Sequence, residues 1–123
     1  MQSLVRDAFR YTPFFCEENI WWLAHDLGEQ GWDVDSLKVL VFSNPWNNIV
    51  LFKQRGADHS MPVVWDYHVV LSARFDQADW IFDFDTRLLF PMPRADYLPA
   101  TFPAQDRLPE QLRSSVRTIP AFS

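Results

Sequence analysis

Apolar side chains recur at Ile20, Leu23, Ala24 and Leu27, the i, i+3, i+4, i+7 spacing of one buried helical face. Thr12 followed by Pro13 supplies a helix start and Gly28 a stop, so the pattern predicts a helix within Thr12–Gly28. Cys16 falls four residues before Ile20, at or near the first turn and on the side facing the core. After a Gly/Asp turn, Leu37–Phe42 reads as a strand, Asn44–Asn48 as a turn, and Ile49–Phe52 as the hairpin partner. Arg55–Ser60 is polar and predicts a loop. Two longer strands follow, Pro62–Ser72 and Asp79–Phe90, joined by the link Ala73–Ala78. From Pro91 the alternation is lost. Five of the nine prolines fall between Pro91 and Pro109, which predicts an irregular wrap over the core, and Leu108–Arg117 predicts a short helix. A helix followed by four antiparallel strands is an α+β layered architecture, with the N-terminal helix carrying the cysteine packed on a mainly antiparallel sheet.

The alternation also sorts polar residues onto faces. Val63, Trp65, Tyr67, Val69 and Leu71 share one face of the third strand, and Val64, Asp66, His68 and Val70 share the other. In the fourth strand Ile81, Asp83 and Asp85 point one way, and Trp80, Phe82 and Phe84 the other. A link that closes symmetrically puts His68 opposite Asp83 and Asp66 opposite Asp85. Opposed Cβ atoms lie roughly 4.5–5.5 Å apart, within reach of an imidazole–carboxylate hydrogen bond.

A cysteine at a helix N-terminus is favoured as the thiolate by the helix dipole and by a nearby imidazolium. Cys16 as nucleophile, His68 as base and Asp83 as orienting acid would then suit acyl-transfer chemistry. Each residue also has a plain structural reading: Cys16 as an inert core thiol, His68 as a satisfied strand residue, Asp83 as a strand-end carboxylate. His25, two turns beyond Cys16, and His59, in the polar loop, suit the base role less well.

Composition narrows the picture. At 123 residues and 14.5 kDa the chain suits one domain, 1–123, and 48% hydrophobic residues supply a core. A net charge of −5, two lysines (Lys38 and Lys53) and scattered arginines argue against nucleic-acid binding. No apolar run reaches the length of a membrane span, and MQSLVRDAFRY lacks the blocks of a signal peptide. A soluble, non-secreted chain is expected. One cysteine excludes an internal disulfide and a multi-cysteine zinc site. Trp65, Tyr67, Phe82 and Phe84 are expected in the core, while Trp21 and Trp22 are adjacent, so one of them faces outward or lines a cleft.

The words around these residues are specific. Cys16-Glu17-Glu18-Asn19-Ile20-Trp21, then Val64-Trp65-Asp66-Tyr67-His68-Val69-Val70-Leu71, then Asp83-Phe84-Asp85-Thr86 with Phe90-Pro91 downstream resemble the signature blocks of the protein N-terminal glutamine amidohydrolase family. The resemblance runs in order from about Tyr11 to Pro120. It implies a catalytic triad of Cys16, His68 and Asp83, and a papain- or transglutaminase-like core. It further implies hydrolysis of the side-chain amide of an N-terminal glutamine to glutamate and ammonia through a cysteine thioester, with no metal or organic cofactor. The implied partners are proteins or peptides beginning with glutamine, without nucleic acid or membrane. The implied protein is a monomer located in the cytoplasm, or also in the nucleus of a eukaryote. Family members continue past the position of Ile119-Pro120-Ala121, so the catalytic domain is expected to be short at its C-terminal side.

The substrate carries an α-ammonium, which needs acceptors once buried. Asp66 and Asp85, like charges facing each other, would be relieved by a cation between them. Glu17 and Glu18 are alternative acceptors, and acids at a helix start are also explained by the dipole alone. Aromatic surface of the kind offered by Trp21 and Trp22 would rest against the peptide behind the glutamine, and Trp65 is a further substrate-binding candidate. Two other functions stay open: a related transglutaminase-like cysteine hydrolase or acyltransferase, and a truncated, inactive peptide-binding homologue.

Overall fold

A computed structural model of the chain describes residues 6, 9–11, 16–58 and 60–122, with Cys16 described by its backbone alone. Helix α1 spans Cys16–Glu29 and ends in Gly31, whose φ of +94° suits the residue without a Cβ. The helix start expected at Thr12–Pro13 lies outside the described residues, as does His59. Strands β1 (Lys38–Ser43), β4 (Tyr67–Phe75), β5 (Ala78–Phe82), β6 (Met92–Pro93) and β7 (Ser115–Pro120) form one antiparallel sheet in the order β6-β5-β4-β1-β7. A second, two-stranded antiparallel sheet joins β2 (Ile49–Leu51) to β3 (Val63–Trp65). Helix α2 spans Arg94–Thr101. The α+β class with a mainly antiparallel sheet is therefore present. Among the described residues no helix is long and apolar enough to cross a membrane.

Period-two alternation explains how one sheet serves two cores. Val69, Leu71, Ala73 and Phe82 turn to α1, where they meet Ile20, Leu23, Ala24 and Leu27. Leu40, Phe42, Val70 and Ile81 turn the other way and meet Ile49 and Leu51 of the small sheet and Tyr97 of α2. Trp21 is half exposed, as one of an adjacent pair must be.

Four sequence expectations are corrected. Ile49–Leu51 does not pair with β1; it pairs with β3, because the strand expected over Pro62–Ser72 bends at Asp66 and divides between two sheets. The link between β4 and β5 is not six residues but two: Asp76 and Gln77, at φ +53° and +64°, both adopt the left-handed conformation that a tight hairpin turn requires. The segment after Pro91 is not irregular throughout, since it holds β6 and α2. Leu108–Arg117 is not a helix either; a single 3₁₀ turn at Glu110–Leu112 leads into β7, the edge partner of β1.

That edge is secured by one side chain. Asn44 Oδ1 accepts from the backbone N–H of Trp46 and of Asn48, each at 3.0 Å, closing the turn after β1. Its Nδ2 lies 3.0 Å from the carbonyl oxygens of Asn48, Gln111 and Arg113, joining that turn to the approach of β7. Asn44→Ala removes both sets of bonds and is expected to destabilise the fold by about 1–3 kcal/mol, read as a lower urea midpoint at unchanged slope.

Candidate active site

The bend at Asp66 leaves His68 as the second residue of β4, and Asp83 is the first residue after β5. Both are buried, each 1% exposed. Their side chains meet: His68 Nε2 and Asp83 Oδ2 are 2.9 Å apart. The register that achieves this differs from the one read in the sequence. The observed ladder pairs Leu71 with Phe82 and Ser72 with Ile81, two residues from the expected alignment, and it ends there. Asp66 and Asp85 are therefore not a cross-strand pair. A two-residue slip, unlike a one-residue slip, keeps every side chain on its face. His68 and Asp83 consequently remain on one side and bridge a diagonal, a separation long side chains can span.

The turn after β5 is built around the aspartate. Asp83 Oδ1 accepts from the N–H of Asp85 at 2.9 Å, and Thr86 Oγ1 accepts from the N–H of Leu88 at 3.0 Å. Residues 53–55 lace this turn down, with Arg55 N–H donating to the Asp85 carbonyl and Arg87 N–H to the Lys53 carbonyl, both at 2.7 Å. Two further donors reach Asp83 Oδ2: the Tyr97 hydroxyl at 2.7 Å and Gln54 Nε2 at 3.4 Å. Sequence reasoning missed both. Tyr97 was obscured by the prolines around α2, and its helical spacing from Thr101 was the one available signal. Gln54 falls between the expected strand Ile49–Phe52 and the expected loop Arg55–Ser60 and belongs to neither pattern.

Electrostatics follow from these contacts. Burial is the largest influence on His68 and opposes its charge. The Asp83 charge, their hydrogen bond and the Asp85 charge outweigh it, so His68 titrates above the ordinary histidine value. Burial likewise opposes ionisation of Asp83. The His68 charge, the hydrogen bonds from His68 and Tyr97, and the Asp85 N–H outweigh it and hold the carboxyl below the usual range. Burial, then the Asp83 charge and hydrogen bond, push Tyr97 well above the ordinary phenol value, so Tyr97 stays a donor. An ionised Asp83 can only accept, so in its neutral form His68 carries its proton on Nε2 and its lone pair on Nδ1. Nδ1 is buried without a hydrogen-bond partner among the described residues.

The other sequence candidates are placed as follows. Cys16 is the first residue of α1, and its side chain lies outside the described residues. Glu17 and Glu18 are exposed in the first turn of α1. Trp65 is half-buried, its ring centroid 5.2 Å from that of His68. Asp66 is exposed, whereas Asp85 is half-buried and accepts from the Tyr11 hydroxyl at 2.9 Å. His25 is apart from this group, stacked on Trp21 and 3.5 Å from Glu29. Ligand atoms of His68, Asp83 and Asp85 lie within 4.8 Å of one another, a grouping that could hold a metal ion. A cation at Asp83 Oδ2 would have to displace the donors already there.

The chain is similar to known proteins over most of its length. A family model described as N-terminal glutamine amidase matches residues 11–123. Relatives named protein N-terminal glutamine amidohydrolase from Bos taurus and Homo sapiens are each 34% identical over 120 residues, covering 96% of this chain and 58% of the relative. One from Arabidopsis thaliana is 34% identical over 109 residues, covering 81% of this chain and 49% of the relative. The chain thus spans less than three fifths of the length of these curated relatives, yet the match takes in α1, the buried His68–Asp83 pair and α2 alike. On that match, the chain belongs to the N-terminal glutamine amidase family.

Proposed function

We propose that this chain hydrolyses the side-chain amide of an N-terminal glutamine in proteins or peptides, with Cys16 as nucleophile, His68 as base and Asp83 as the group that orients it. The observation that carries the reading is the buried imidazole of His68, fixed on Nε2 by Asp83 and without a partner on Nδ1 among the described residues. Together with family membership this supplies a base whose free lone pair is set aside for another group. We read the helix-on-sheet arrangement as a papain- or transglutaminase-like core, and 1–123 as belonging to a single catalytic domain.

In this reading His68 Nδ1 takes the thiol proton and the Cys16 thiolate attacks the carboxamide carbon. The oxyanion so formed is stabilised by N–H groups at the start of α1, where the helix dipole also favours the thiolate. Collapse breaks the C–N bond, and the amine leaves as ammonia with the proton held by His68. The thioester that remains is hydrolysed when His68 deprotonates a water, giving N-terminal glutamate and the free thiol. Asp85 is the acceptor best placed for the α-ammonium, beside His68 and Asp83. Exposed Glu17, Glu18 and Asp66 are weaker candidates, and Trp65 shields the imidazole.

The chain is expected to release ammonia from a Gln-initiated peptide and the Cys16→Ala variant to release none. Equal rates on free glutamine or on internal glutamine would overturn the N-terminal specificity. Asp83→Asn presents an N–H to Nε2, reverses the tautomer, and should lower kcat by roughly ten-thousandfold, the scale of such replacements in other triads.

The same pair makes stability depend on pH. His68 is raised above 6.5, so its contribution is full below that value and fades as pH rises through the higher folded-state value. Asp83 is lowered below 3.8, so its contribution is full above that value and fades as pH falls through the lower folded-state value. Urea midpoints are therefore expected to be highest between these limits, and Asp83→Asn should flatten the profile on both sides.

A further inference from the structure

Helix α2 delivers a polar atom to the border between an apolar cluster and the buried His68–Asp83 pair. Tyr97 is wholly buried, its ring within the cluster that holds Val70, Ile81 and Phe102. A phenylalanine would fill that space, whereas a hydroxyl buried among aliphatic groups is costly unless it is partnered. Its partner is Asp83 Oδ2, at 2.7 Å, the same oxygen that accepts from His68 Nε2 at 2.9 Å. The other oxygen, Oδ1, accepts from the Asp85 N–H. Gln54 Nε2 adds a longer contact to Oδ2, shared with the Phe52 carbonyl at 3.1 Å. Both of these neighbours are acceptors, which fixes the amide orientation. The helix itself is pinned by the Phe52 N–H donating to the Thr101 carbonyl at 2.8 Å.

We propose that Tyr97 is a positioning residue for His68, acting through Asp83: its hydroxyl fixes the plane of the carboxylate and draws off part of the charge that the imidazole would otherwise hold alone. A carboxylate with one donor on each oxygen can still pivot about the bond to its Cβ. A second donor on Oδ2, coming from a different element, removes that freedom and holds the imidazole with Nδ1 aimed consistently. Charge sharing has a separate effect. A buried carboxylate neutralised by His68 alone grips the imidazolium strongly and keeps it protonated, whereas a shared one lets the proton leave. Tyr97 never meets substrate; its effect passes entirely through the aspartate. The kinetic part rests on the amidohydrolase reading above, and the effect on His68 titration does not.

The test is the titration of His68 by imidazole nitrogen-15 NMR in the chain, in Tyr97→Phe, and in the chain with 3,5-difluorotyrosine placed at position 97. Removing the hydroxyl should move the His68 titration to higher pH with the Nε2–H tautomer retained. The fluorinated phenol, a stronger donor of nearly the same size, should move it to lower pH. For ammonia release from a Gln-initiated peptide, Tyr97→Phe should lose roughly tenfold or more in kcat at little change in KM, the worth of one hydrogen bond to a charged group. A purely structural hydroxyl would lower the unfolding temperature and leave the titration of His68 where it was. Unchanged titration in both substituted chains overturns the proposal, and the fluorinated chain keeps the test decisive if Tyr97→Phe does not fold. Opposite shifts in a chain that releases no ammonia would uphold the positioning role and overturn the amidohydrolase reading alone.

Discussion

A carboxylate that is 1% exposed has to be compensated on the spot, because burial of an unpaired charge is the most expensive thing a small fold can do. Asp83 is compensated by an imidazole from β4, a hydroxyl from α2, a backbone N–H from its own turn and an amide from the segment after β2. These donors come from four separate stretches of chain. Each must arrive within hydrogen-bonding distance of two oxygen atoms, so the requirement to satisfy one charge dictates how the turn after β5, the end of β2 and the approach of α2 are stacked. The backbone lacing between residues 53–55 and 85–87 is the scaffold that meets this requirement.

The division of the sheet into two cores gives the pair its character. One face packs an apolar cluster on α1, which also carries the buried Asn19. The other combines an apolar cluster with His68, Asp83, Gln54 and Thr86, all buried. Low dielectric strengthens each of those polar contacts and penalises each that is left unmade. His68 Nδ1 and Gln54 Oε1 are the buried atoms of this group without hydrogen-bond partners among the described residues. In a region that is otherwise closely paired, the proposed role of His68 as a base rests on this nitrogen, open among the described residues beside a fixed Nε2–H.

How much of this was legible in the sequence depends on the range of the physics involved. Helix α1 and the alternation in β4 are local patterns, and Ile20, Leu23, Val69 and His68 lie where those patterns put them. The faces of His68 and Asp83 followed from parity, which survived a two-residue error in register. The error itself came from Ala73–Phe75. These residues continue the strand because Asp76 and Gln77 both take positive φ, a conformation that neither residue type announces as glycine would. The partner of β2 could not be read, since it depends on a bend at Asp66 that places β3 beside it. Prolines at 91, 93 and 99 argued against a helix, yet Pro93 only precedes α2, and Pro99 is accommodated inside it. With α2 unseen, Tyr97 had no route to the site.

The order of these elements along the chain sets an order in time. Cys16, His68 and Asp83 are all synthesised before Arg94, and a domain generally folds as a unit once its parts have emerged. Until α2 exists, Asp83 has no hydroxyl from Tyr97 and the second core has no lid, so its carboxylate must stay hydrated. Arg94–Thr101 then supplies α2 against one face and Ser115–Pro120 supplies β7 along one edge. On a ribosome, the histidine and aspartate lose their water only once α2 has been made, and a nascent chain stalled short of α2 holds the letters of the candidate site without its buried charge.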